Sequence, residues 1–161
     1  MVKTRNENHG DALRALLRRA GIKITPIRLE VLGYLLKTGQ PVSHSDVQSA
    51  LPTLDRVTIY RTLASFVESG IAHQVQGLDG MWHFCAHNPD SSGCPGNHPH
   101  FLCTSCGKMI CLLDQNLPRV DVTEGNIVNG KQFVAYGFCQ ECAAKAKCPA
   151  RAPRIGDESS R

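Results

Sequence analysis

No apolar run in these 161 residues approaches the roughly 18 to 20 residues that a membrane span needs. The opening residues, Met1 to Asn8, carry basic side chains, but no apolar run follows and no small-residue cleavage pattern appears. A secretory leader is therefore not expected, and the chain reads as soluble and cytoplasmic. Acidic side chains are scarce where ligand-type residues are densest, since Asp90 is the only one between Met81 and Leu113. That scarcity argues against a magnesium or calcium site built from oxygen. It also argues against a zinc deaminase or hydrolase, which needs a glutamate as proton carrier, as in His-x-Glu with Pro-Cys-x-x-Cys. At 161 residues there is room for one ordinary domain or two small ones, and small domains often need a metal or a partner subunit for stability.

What the chain does have is sulfur and imidazole. From His83 to Cys106, a stretch of 24 residues, lie four of the eight cysteines and four of the seven histidines. This soft environment suits zinc. Cys103-x-x-Cys106 and Cys139-x-x-Cys142 are two knuckles, and together they complete a four-sulfur tetrahedron with no open position, as in a structural zinc site. The 32 residues between the knuckles exceed the usual gap of about 15 to 20, so an inserted element is expected. Lys108 to Leu113 and Gln132 to Phe138 read as strands, Leu117 to Val120 as a short helix, and Gln140 to Lys147 as a terminal helix. Disulfides or a thiol redox switch are the competing readings. The cytosolic setting and the lack of a thioredoxin-like pattern count against both. The remaining ligand-type residues, His73, His83, Cys85, His87, Cys94, His98, His100 and Cys111, exceed what one ion needs and point to a second metal site.

The first half is helical and mildly basic, with ten Lys and Arg against seven Asp and Glu in residues 1 to 80. Asp11 to Ala20 carries Leu13, Leu16 and Leu17 on one stripe. Thr25 caps a second helix with Pro26 at its first position and Ile27, Val31, Leu32, Leu35 and Leu36 inward. Ser43 caps a third, with Val47, Ala50 and Leu51 inward. Asp55 or Thr58 starts a fourth. Ile71 to Gln76 and Met81 to Phe84 read as strands joined by Gly77-Leu78-Asp79-Gly80, a hairpin turn. Helices followed by a hairpin make a winged helix-turn-helix, whose last helix enters the major groove. Arg56, Thr58, Tyr60 and Arg61 near its start are the candidate DNA contacts. The alternative is a solvated face with the tyrosine half in the core.

Three segments carry a resemblance: Ile24 to Leu32, Thr58-Ile59-Tyr60-Arg61-Thr62-Leu63, and His98 to Lys108. Together they resemble the ferric-uptake-regulator family of metal-sensing repressors over roughly residues 11 to 147. The resemblance implies an α+β homodimer, each subunit a winged-helix domain hinged to a small α/β dimerisation domain. It also implies a four-cysteine structural zinc and a regulatory metal at the hinge. Expected boundaries are 1–86 for the DNA-binding domain, 87–98 for the hinge loop, 99–147 for the dimerisation domain and 148–161 for a disordered tail. The zinc-uptake-regulator branch is the best match, since its sensing positions correspond to His73, Cys85, the His98 to His100 segment and Cys111. Cys111 departs from the usual carboxylate and makes the site softer. His83 and Cys94 are further candidates. The iron- and peroxide-sensing branches fit less well, because Pro41 and His83 stand where they place a histidine and a carboxylate. The expected function is zinc-dependent, non-enzymatic repression of zinc-uptake genes on double-stranded DNA. A regulator responding to iron, manganese or peroxide is the alternative.

Overall fold

A computed structural model describes residues 5–78, 80–86, 98–128 and 131–145. Residues 87–97 of the expected hinge loop, with His87 and Cys94, Asp79 of the hairpin turn, and the tail with Cys148 lie outside the described residues.

Helix α1 spans Arg5–Arg19, six residues earlier than its apolar stripe predicts. Helix α2 is Pro26–Thr38, where the Thr25 hydroxyl accepts the Arg28 amide and Gly39 closes the helix at φ 62. Such a cap is worth about 1 kcal/mol, and a left-handed closing residue favours glycine. Strand β1, Val42–Ser43, leads into α3, His44–Ala50, through a capping box between Ser43 and Asp46. Helix α4 is Arg56–Glu68, so Asp55 is the cap of the two candidates, accepting the Thr58 amide. Leu17, Leu35, Val47, Leu63 and Phe66 are fully buried in the core these helices share. Ala50, expected inward, is exposed, while Leu51 beyond it packs on the core. The helix ends there, so Ala50 lies on the last turn facing water.

Strands β2, Ala72–Gln76, and β3, Trp82–Ala86, form the expected hairpin. Strand β3 runs two residues past Phe84, and β1 pairs on its other side, giving the order β1-β3-β2. Two residues of strand carry no readable period, so β1 has no sequence signal. Strands β4, His100–Cys103, β5, Met109–Cys111, and β6, Val134–Gly137, make a second sheet in the order β5-β4-β6. Strand β4 pairs antiparallel with β5 but parallel with β6. A parallel partner needs a crossover, and this accounts for the long gap between the knuckles. The short helix expected at Leu117 to Val120 is absent and that segment is irregular. Pro118 cannot donate a helical hydrogen bond, and four residues cannot nucleate a helix unaided. Helix α5, Gln140–Lys145, follows β6.

The architecture is α+β, with a helical core backed by the winged sheet and a second sheet against the wing. Register sets the wing's two faces. Val42, Gln74, Phe84 and Ala86 share the face toward the helices, while His73, Val75, His83 and Cys85 share the other. On that second face Val75 packs against Leu102 and Met109 of the second sheet. No helix among the described residues is long and apolar enough to cross a membrane.

Candidate metal centres and nucleic-acid interface

The two knuckles meet. Cys103 ends β4, and a turn closed by Gly107 at φ 73 returns the chain past Cys106. Cys139 and Cys142 sit at the start of α5. The four sulfurs lie within 4.8 Å of one another, and Cys106 Sγ is 3.9 Å from Cys139 Sγ. Ligands about 2.3 Å from one tetrahedral ion stand about 3.8 Å apart, whereas a disulfide needs about 2.05 Å. All four are free thiols. The Cys139 amide donates to Cys103 Sγ at 3.3 Å and is the main reason the Cys103 thiol is pulled down to about 6, against the opposing effect of burial. At Cys142 the Ser105 hydroxyl pulls downward, but Cys139, Cys106 and burial outweigh it and push the thiol up to about 12. A thiolate is thus favoured at Cys103, while Cys142 is held toward its protonated form. Four such sulfurs fit a divalent soft ion, whose charge would release the Cys142 proton.

A second group lies between the sheets. His73 of β2, His98 before β4 and His100 of β4 bring ring nitrogens within 4.8 Å of one another. His73 Nε2 is 3.3 Å from His100 Nε2, and the His98 and His100 rings are 4.6 Å apart between centroids. Two nitrogens each about 2.05 Å from a tetrahedral ion would be about 3.3 Å apart. His98 and His100 are buried, and His100 Nδ1 has no hydrogen-bond partner. Next to this triad, Cys85 and Cys111 are buried in contact with each other. Register closes the ring, since His73 faces Cys85 across the wing and His100 faces Cys111 across the second sheet. Directly opposed residues carry Cβ atoms about 4.5 to 5.5 Å apart. An open cleft of about 280 Å³ runs beside the histidines, lined also by Gln74, Lys131 and Gln132. Neither ligand group contains a carboxylate. This donor set of nitrogen and sulfur fits zinc better than a harder ion.

His83 is not in the triad. It shares the wing face with Cys85 but stands opposite Val75 and Ser43, buried, with Nδ1 unpartnered. The knuckle pattern finds the four cysteines. That both His98 and His100 converge on His73 depends on β4 being a strand, which no period in the sequence reveals.

Helix α4 presents Arg56, Tyr60 and Arg61 to solvent, with Tyr60 64% exposed. That figure places the tyrosine outside the core, on the same solvent-facing surface as the arginines. Thr58 differs from the other candidates, because its hydroxyl donates to the Asp55 carboxylate and belongs to the helix cap. The start of α4 and the wing enclose an apolar cleft of about 450 Å³ lined by Arg56, Val57, Tyr60, Met81 and Trp82. A helix-turn-helix with arginines and an exposed aromatic at the start of its second helix can enter a major groove.

Comparison with known proteins agrees with this anatomy. The model of the Ferric uptake regulator family matches residues 19–133. The peroxide operon regulator of Bacillus subtilis is 30% identical over 140 residues, covering 80% of this chain and 90% of that protein. The solved zinc uptake regulator complexed with zinc and DNA superposes with a TM-score of 0.59 at 21% identity, over 91% of this chain and 100% of that one. The Vibrio cholerae ferric uptake regulator gives 0.57 at 23% identity, over 78% and 98%. With two thiol- and imidazole-rich centres joined to a winged helix, the chain belongs to the ferric uptake regulator family, a family of metal-responsive transcriptional regulators rather than enzymes.

Proposed function

We propose that this protein is a zinc-responsive repressor that binds operator DNA as a homodimer and controls zinc-uptake genes. The observation that carries the reading is the inter-sheet group, three histidines with Cys85 and Cys111 beside them and no carboxylate in the triad. Cys103, Cys106, Cys139 and Cys142 would hold a structural zinc, while His73, Cys85, His98, His100 and Cys111 would supply the sensing ligands.

A bound ion at the second site would tie the wing sheet to the second sheet with bonds far stronger than their apolar contact. His73 and Cys85 belong to the wing; His98, His100 and Cys111 belong to the other side. The full donor set therefore exists only when the sheets are docked, and docking fixes where Arg56, Tyr60 and Arg61 point. Two copies present two recognition helices, and a palindromic operator demands one fixed separation between them. The dimer face proposed is the free edge of β6, where Phe133, Tyr136 and Phe138 are 46%, 50% and 48% exposed. Apolar side chains along an unpaired edge favour burial by another copy.

A peroxide-responsive regulator is the second reading, favoured by the identity to the Bacillus subtilis peroxide operon regulator. The two are separated by titrating free zinc, iron and manganese against the protein's own upstream DNA, with and without hydrogen peroxide, while the tight zinc is retained. Binding that rises with zinc alone and ignores peroxide supports the first reading. Binding that follows iron or manganese and collapses with peroxide would replace it by the second.

A further inference from the structure

We infer that Gln132 and Gln40 are positioning residues that set how much metal the inter-sheet site requires, by holding the wing against the second sheet before any ion binds. The inference rests on the metal reading of that site given above.

Strand β2 is an outer strand, so its outward backbone groups have no strand partner. At Gln76 they are satisfied by one side chain, because the Gln76 amide donates to Gln132 Oε1 at 3.0 Å and Gln132 Nε2 donates to the Gln76 carbonyl at 2.8 Å. The Gln132 amide thus imitates an extra strand at the wing's edge. The converse contact lies on the other side. Strand β5 is outermost in the second sheet, and the Cys111 amide donates to Gln40 Oε1 at 2.8 Å. Gln40 sits between the left-handed Gly39 that ends α2 and the strand β1. Each glutamine therefore comes from one sheet's side and closes the outer strand of the other.

Between them the apolar contact among the described residues is small, with Val75, Leu102 and Met109 buried, Val134 packed alongside, and Cys85 set against Cys111. So small an apolar contact leaves docking close to balance, and hydrogen bonds of modest net worth can then shift it. Metal affinity is reduced by the fraction of molecules that are undocked. Removing a latch lowers the docked fraction and raises the metal needed, yet enough metal restores the docked state. Loss of a ligand behaves differently, because it weakens the site in the docked state itself and so lowers affinity further than a change in docking does. Neither glutamine is among the proposed ligands, and neither belongs to the knuckles, the histidine triad or α4.

The test uses the full chain with its four-cysteine zinc retained. Second-site zinc affinity is read by competition with a chromogenic chelator in the parent protein, Gln132→Met, Gln40→Met and His73→Ala. Methionine keeps the length of glutamine and removes both polar ends. Each glutamine variant is expected to weaken second-site zinc by about five- to tenfold while the four-cysteine site keeps its zinc. The Gln76 amide should also exchange faster in zinc-free Gln132→Met, and His73→Ala should weaken second-site zinc well beyond either glutamine variant, by roughly a hundredfold or more. Second-site affinity within about twofold of the parent in both glutamine variants would overturn the inference and leave the metal site standing. A parent chain that takes up no second zinc removes the site reading and this inference together.

Discussion

At the scale of single residues, small local bonds decide which side chains are available for function. Asp55 holds the start of α4 through the Thr58 amide and hydroxyl. Those bonds, the Thr58 hydroxyl first, keep its carboxyl below the ordinary carboxylate value. The folded form thus binds its proton less readily than the unfolded chain. Its stabilisation is present above the unfolded value and lost as pH falls through the lower folded one. Asp55→Ala should lower the melting temperature at pH 7, and the difference from the parent should shrink in strong acid. An equal difference at all pH values would contradict the charged cap. A second residue-scale expectation concerns Cys103 and Cys142, with thiols held at about 6 and about 12 in the metal-free chain. At neutral pH the first is mostly thiolate, while the second keeps a proton that an ion must displace. Zinc affinity at the four-cysteine site should therefore rise with pH. Chelator competition at pH 6 and pH 8 checks this, and equal affinities would argue that these sulfurs do not hold the ion.

At the scale of elements, α4 and the wing were readable because caps and periods are local. Thr25, Ser43 and the Gly77 to Gly80 turn act within four residues of themselves, so each announces its element. Their agreement with the packed helices leaves Arg56, Tyr60 and Arg61 on one exposed helix start. Arg61→Ala should weaken operator binding by about 1 to 3 kcal/mol with zinc content unchanged, as read by fluorescence anisotropy alongside metal analysis. Unchanged DNA affinity would mean that another surface reads the operator. Strands β1 and β4 were not legible. They are short, and each pairs with residues far along the chain, 42 positions away at Val42 with Phe84 and 34 at His100 with Val134, although β4 also meets β5 closer by. A strand of two to four residues is defined by its partner rather than by its own pattern.

For the whole molecule, the second sheet has two exposed concerns, one toward the wing and one toward solvent. The free β6 edge with Phe133, Tyr136 and Phe138 is the face proposed for the second copy. Tyr136→Asp would place a charge in that face and should raise the dimer dissociation constant roughly thirtyfold, about 2 kcal/mol. Sedimentation measures this directly, and operator affinity should fall with it. A variant that stays dimeric would move the interface elsewhere. On the wing side, docking is shared by a small apolar contact, two glutamines and the donors of the metal site. Because the proposed donors are divided between the sheets, an ion held by them would make metal occupancy and wing position one equilibrium.

The sequence by itself determined the helical half, the hairpin, the four-cysteine cluster and the soft, sulfur- and nitrogen-rich character of the donors. Each of these follows from local periods, caps or a fixed ligand spacing, or from the kind of donor present. Only the tertiary structure decided how the surplus ligands divide. It brings His98 and His100 to His73, sets Cys85 against Cys111, leaves His83 aside, and ties the Thr58 hydroxyl to the Asp55 cap. It also reveals Gln40 and Gln132, whose bonds to distant backbone have no sequence signature. The reason is physical. Ligand type is a property of a side chain, whereas a shared site is a property of strand register and of two sheets meeting, which depends on contacts far apart in the chain.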